Sequence, residues 1–124
     1  MIPKVVMAWA AAFALVVPLV TAGEADLVSR TIWGEARGCP REEREAVAWC
    51  VMNRVEDERF PDSIEEVVTA PYQFAGYSPS FPAGPFREEA QDVILRHRLG
   101  ERGLDPALVW FTGDGRKNHF RAEY

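Results

Sequence analysis

Positive charge, cysteine and histidine are all scarce in this chain, and each scarcity narrows what it can do. Lysine and arginine number 14 against 19 aspartates and glutamates, a formal net charge of -5 over 124 residues. No basic cluster is long enough to track a phosphate backbone, so nucleic acid is not an expected partner. Two cysteines, Cys39 and Cys50, and two histidines, His97 and His119, do not give the spacing of a zinc site. No metal and no other cofactor is therefore expected. Internal repeats and low-complexity tracts are missing too. A chain of this length holds one domain around one modest core, and the expectation is a monomer.

What is present begins with an apolar run. Residues 5–22 carry no charge and follow the single basic Lys4. This reads as an export leader, with Val20 and Ala22 small enough for the minus-three and minus-one positions of a signal-peptidase site. On that reading residues 1–22 are a signal peptide or weak membrane anchor, and residues 23–124 are the working domain. As a membrane span the run is marginal, being short, rich in alanine and interrupted by Pro18. A tether that makes transient membrane contact through residues 5–22 and is later released is a third course. In each case the domain is expected outside the cytoplasm, in the periplasm or at the cell wall. A disulfide can persist there, so Cys39 and Cys50 could pair and clip the turn after Glu35 to the next helix; two thiols are equally open.

Periodicity then gives a mostly helical domain. Leu27, Val28, Thr31 and Ile32 repeat at helical spacing, with Asp26 as a plausible N-cap and Gly38 and Pro40 as stop signals. Residues 41–58 form a central helix whose early acids suit the positive end of its dipole, with Val47, Cys50, Val51, Arg54 and Val55 on one side. Asp62 and Ser63 supply a cap for a short helix carrying Ile64, Val67 and Val68. From Pro71 to Pro85 the chain is irregular but aromatic, with Tyr72, Phe74, Tyr77 and Phe81, and such a loop could wall a cleft whose rings stack on sugars. Residues 86–100 form a further helix with Ala90, Val93, Ile94 and Leu95 inward, and His97, between Arg96 and Arg98, reads as solvated. Thr112-Gly113-Asp114-Gly115 is turn chemistry for a short β-hairpin whose return arm holds Asn118, His119 and Phe120. The fold class is α+β, mostly α, in one domain.

The stretch with the most chemistry is Thr31 to Gly38, which places Glu35 in the last turn of a helix. A carboxylate is disfavoured there because that end of the dipole is negative, and Ile32 and Trp33 are at hand to exclude water. Both effects raise a carboxyl pKa, as a general acid requires near neutral pH. A solvated surface glutamate beside Arg37 is the plain alternative.

Five separated stretches resemble the catalytic domain of the spore-cortex-lytic (SleB/CwlJ-type) cell wall hydrolases. They are Ile32-Trp33-Gly34-Glu35-Ala36-Arg37-Gly38; Ala46-Val47-Ala48 through Asn53-Arg54-Val55; Phe60-Pro61-Asp62-Ser63-Ile64 with Val67-Val68; Tyr72-Gln73-Phe74; and Asn118-His119-Phe120. The resemblance implies a lysozyme-like fold related to lytic transglycosylases, and cleavage of the β-1,4 bond between N-acetylmuramic acid and N-acetylglucosamine in peptidoglycan glycan strands. It places the catalytic acid on Glu35, and substrate binding or cleft structure on Asn53, Arg54, Gln73, Phe74 and His119, with Trp33 and Tyr77 as further candidate sugar contacts. Cys39 stands where many members have a second acid, and Ala75 where they have serine. A glycosidase that hydrolyses needs a second carboxylate, with Glu43 and Asp57 as reserves here, whereas a lytic transglycosylase can work with one. Two other classes stay open: a cysteine-dependent wall peptidase or amidase using Cys39 or Cys50 with His119, and a non-catalytic glycan-binding module.

Overall fold

The computed structural model describes residues 19–71, 74, 76–113 and 118–123. Most of the expected leader, Tyr72, Gln73, Ala75 and residues 114–117, where part of the hairpin turn was expected, lie outside the described residues. Among the described residues, four α-helices come in order: α1 (Ala22–Ala36), α2 (Arg41–Glu56), α3 (Ile64–Thr69) and α4 (Arg87–Arg98), with a 3-10 turn at Gly84–Phe86 leading into α4. Two short antiparallel strands follow, β1 (Trp110–Gly113) and β2 (Asn118–Arg121), in the register Thr112 opposite His119 and Phe111 opposite Phe120. The mostly helical fold with a small hairpin agrees with the sequence pattern. Thr112 and Gly113, expected in the turn, belong to β1.

Helix α1 starts earlier than Asp26. Thr21 is its N-cap, in a reciprocal capping box: the Glu24 N–H donates to Thr21 Oγ1 at 3.0 Å and the Thr21 N–H to Glu24 Oε1 at 3.1 Å. Arg98 of α4 donates both to Glu24 and to the Leu19 carbonyl. Asp26 instead accepts from Arg87 at 2.7 Å. The expected boundary between Ala22 and Gly23 thus falls inside the first turn of α1, with the cap on its leader side. Thr21 escaped notice because it ends an apolar run that reads as one unit.

The core lies where the four helices meet. Val28, Ile32 and Ala36 of α1 pack with Val47, Ala48, Val51 and Met52 of α2, Ile64, Val67 and Val68 of α3, and Ala90, Val93 and Ile94 of α4. Each fully buried Val or Ile contributes about 1.5–3 kcal/mol. Helix α2 is buried not on one side but all round from Val47 to Arg54, because α1, α3 and α4 all lean on it and the segment before β1 covers its remaining face. Ser63 caps α3, accepting from the Glu66 N–H at 3.1 Å.

His97 differs from the expectation of a solvated residue. It is buried beside Trp49, with Nε2 3.3 Å from Glu56, and burial pushes its pKa down. After α4 ends at Gly100, in the left-handed region at φ 101°, Arg102 turns back to the His97 carbonyl at 3.0 Å and to Glu56, and this return covers the imidazole.

Candidate active site

Glu35 sits one residue before the end of α1, half-buried, and what buries it is the long loop after α3. Its Oε1 accepts the Gly76 N–H at 2.9 Å. So close an approach needs two residues without side chains. A Cβ on Gly34 would lie 1.5 Å from the Gly76 carbonyl oxygen, and one on Gly76 would lie 2.8 Å from Glu35 Oε1. Sequence reasoning passed over both glycines, since nothing local marks two positions so far apart in the chain that meet in the fold.

The carboxyl of Glu35 is raised above the ordinary glutamate value. Loss of water is the largest cause; the Gly76 hydrogen bond and the positive charge of Arg54 oppose it without cancelling it. The direction matches the expectation from the helix end, but burial under the loop is the main source. Among the described residues, no other carboxylate acts on Glu35. Both reserve acids are engaged elsewhere: Glu43 accepts the Asn118 backbone N–H at 3.2 Å, and Asp57 is held by Arg59 at 2.9 Å.

The other candidates divide. Arg54 and Phe74 come together beneath Glu35, the guanidinium lying 4.2 Å from the Phe74 ring centre and close to the rings of Trp110 and Phe60 as well. Arg54 is 2% exposed and donates from Nε to the Val109 carbonyl at 2.6 Å, so it is a scaffold that lends Glu35 its charge rather than a group open to substrate. Phe74 is buried against Arg54 and Phe111, which leaves its ring no face for a sugar. Asn53 is 1% exposed; its Nδ2 donates to the Asp105 and Leu108 carbonyls at 2.9 and 3.1 Å, fixing the approach to β1. A backbone clamp of this kind has no sequence signature; of the two parts expected of Asn53, substrate binding or cleft structure, these bonds are of the structural kind.

Trp33 is two residues from Glu35 on the helix and faces elsewhere, its ring 6.0 Å from Phe86 and 5.8 Å from the Arg37 guanidinium. Tyr77 is half-buried next to Gly76, with its N–H on the Phe74 carbonyl at 3.0 Å. His119 is on the exposed side of β2, opposite Thr112. Gln73 lies outside the described residues.

Cys39 and Cys50 are thiols, not a disulfide. Cys50 points into the core beside Arg54, and burial pushes its pKa up to about 11. A thiol so raised is the opposite of an activated nucleophile.

Comparison with known proteins places this arrangement. A family profile described as cell wall hydrolase matches residues 38–122, and the chain belongs to that family. Three curated relatives are each named spore cortex-lytic enzyme. The Bacillus subtilis protein is 30% identical over 88 residues, covering 71% of this chain and 29% of its own. The Oceanobacillus iheyensis protein is 33% identical over 95 residues, with 71% and 32% covered. The Halalkalibacterium halodurans protein is 37% identical over 88 residues, with 71% and 27% covered. The chain thus spans less than a third of the length of these relatives. The matched family region begins three residues after Glu35. No solved structure matches the chain significantly.

Proposed function

We propose that this domain cuts the glycan strands of peptidoglycan on the outer side of the plasma membrane, as a lytic transglycosylase with Glu35 as its proton carrier. The observation that carries the reading is a half-buried carboxyl, held by one backbone N–H and raised by burial, with no second carboxylate acting on it among the described residues. Membership of the cell wall hydrolase family supports the substrate class. The chemistry follows from one acid. Protonated Glu35 gives its proton to the glycosidic oxygen as the bond from the N-acetylmuramic acid anomeric carbon breaks, and the N-acetylglucosamine side leaves as an alcohol. The carboxylate so formed takes the proton from the muramoyl 6-hydroxyl as that oxygen closes onto the anomeric carbon. No water is consumed, and Glu35 ends the cycle protonated.

Arg54 has a defined part in this scheme. Its buried positive charge favours the carboxylate that exists in mid-cycle, while burial favours the neutral acid that starts it. The opposition leaves a carboxyl able to hold both states.

Digestion of purified peptidoglycan followed by mass spectrometry tests the proposal. Ends carrying 1,6-anhydro-N-acetylmuramic acid are the expected result. Reducing ends would mean hydrolysis and a second carboxylate, and shortened peptides would mean an amidase or peptidase. A pure binding module would retain sacculi without releasing fragments, and its function would survive Glu35→Gln.

A further inference from the structure

The setting of Glu35 depends on residues that take no part in the chemistry. The loop after α3 is fastened to α1 at three levels: Gly76 N–H to Glu35 Oε1 at 2.9 Å, Arg30 Nε to the Phe81 carbonyl at 3.0 Å, and Ser29 Oγ to the Ala83 carbonyl. As the loop advances from 76 to 83, its partners retreat from 35 to 29. Residues 76–83 therefore run antiparallel to α1 as a strap. Ser29 is fully buried and Arg30 is half-exposed. The two hold the far end of the strap, one helical turn and more below the acid.

We infer that Ser29 and Arg30 are positioning residues for Glu35, pinning the 76–83 strap to α1 so that the Gly76 N–H occupies Oε1 and leaves Oε2 to carry the transferable proton. This rests on the reading of Glu35 as the proton donor. A neutral carboxyl has one carbonyl-like oxygen and one hydroxyl oxygen. The carbonyl-like oxygen is the better acceptor, so a fixed N–H at Oε1 puts the proton on Oε2. The terminal carboxyl torsion of glutamate is broad and nearly two-fold; with the N–H withdrawn, either oxygen can take either part. Glu35 would then spend part of its time with the proton aimed at the loop. The other ionisable groups that reach Glu35 are Arg54 and Cys50 of α2, and substitutions at 29 and 30 leave both in place.

The test compares Arg30→Ala, Ser29→Ala and Arg30→Lys in the whole chain, reading the Glu35 side-chain carbon and the Gly76 amide by NMR across a pH titration alongside the kinetics. In the two alanine variants the Gly76 amide should stop following the Glu35 titration. The Glu35 midpoint should move down toward the ordinary glutamate value, because the burial supplied by the loop, the largest cause of its rise, is lost along with the smaller opposing Gly76 hydrogen bond. Turnover should fall about tenfold with KM little changed, as expected for misorientation rather than lost binding. Arg30→Lys keeps a donor for the Phe81 carbonyl and should recover most of each effect. An unmoved midpoint and an unchanged Gly76 amide in folded Arg30→Ala overturn the inference, and so does a moved midpoint with undiminished turnover. Should Ser29→Ala not fold, Arg30→Ala at its half-exposed position decides alone. The titration reads the strap whether or not Glu35 is the donor. Full activity in Glu35→Gln would remove the donor reading on separate grounds.

Discussion

Glu35 on α1 and Arg54 on α2 are both ionisable groups drawn out of water, and each is met by the backbone of a distant segment: the Gly76 N–H for the acid, the Val109 carbonyl for the base. Beyond that they part. Arg54 is 2% exposed, ringed by Phe60, Phe74 and Trp110, and its charge is permanent at any working pH. Glu35 keeps one side open, and its charge is poised to change. A buried charge enclosed on every side builds the fold, whereas one satisfied on one side and left open on the other is available for chemistry. The asparagine-arginine pair could be read in the sequence as substrate binding or as cleft structure, and the burial of both side chains fits the second.

The sharpest break between the two is a pair of single substitutions. Glu35→Gln should cut glycan cleavage by about 10²–10⁴-fold, the usual worth of a general acid, and leave the urea midpoint no lower than wild type. Arg54→Ala should do the reverse first, costing about 3–5 kcal/mol in urea unfolding. It empties a large aromatic-lined space and leaves the Val109 carbonyl without its donor. If Arg54→Ala proved as stable as wild type and lost only substrate affinity, its place in the scaffold would have to be given up.

Gly34→Ala probes the seam itself. An alanine inside a helix ordinarily stabilises by about 0.5–1 kcal/mol over glycine. Here the added methyl meets the Gly76 carbonyl at 1.5 Å, so the clash should win and the variant lose about 1–3 kcal/mol in thermal or urea unfolding, with turnover falling as the loop shifts. A stabilised Gly34→Ala would show that the loop does not lie on α1 in solution.

The smallest effect is on stability against pH. The folded Glu35 has a raised pKa, so the folded chain holds a proton that the unfolded chain has released over the window above the ordinary glutamate value. Stability from this group is full below that value, falls as pH rises through the window, and levels off above the folded pKa. Melting of Glu35→Gln beside wild type should therefore show the variant ahead at neutral pH and the gap closing below pH about 4. A gap independent of pH would mean that the acid is not held above its normal range.

Much of this architecture was legible because helices write their period into the chain. The α2, α3 and α4 segments, the Ser63 cap and the hairpin followed from apolar spacing and turn chemistry, and Glu35 was placed at its helix end correctly. What stayed hidden were contacts between backbone and distant side chains. Asn53 holds carbonyls at 105 and 108, Arg54 one at 109, Ser29 and Arg30 those at 83 and 81, and a peptide carbonyl looks the same at every position. His97 was misread for a related reason, since the Arg102 return that covers it belongs to an irregular segment.

The hydrogen bond from Gly76 to Glu35 spans 41 residues. An unfolded or partly threaded chain carries a glutamate like any other, fully hydrated and ionised at neutral pH, and so has no acid to give. On the proposed reading of Glu35, reactivity is an emergent property of the finished tertiary structure. It would depend on the 76–83 segment lying against the helix that carries the acid.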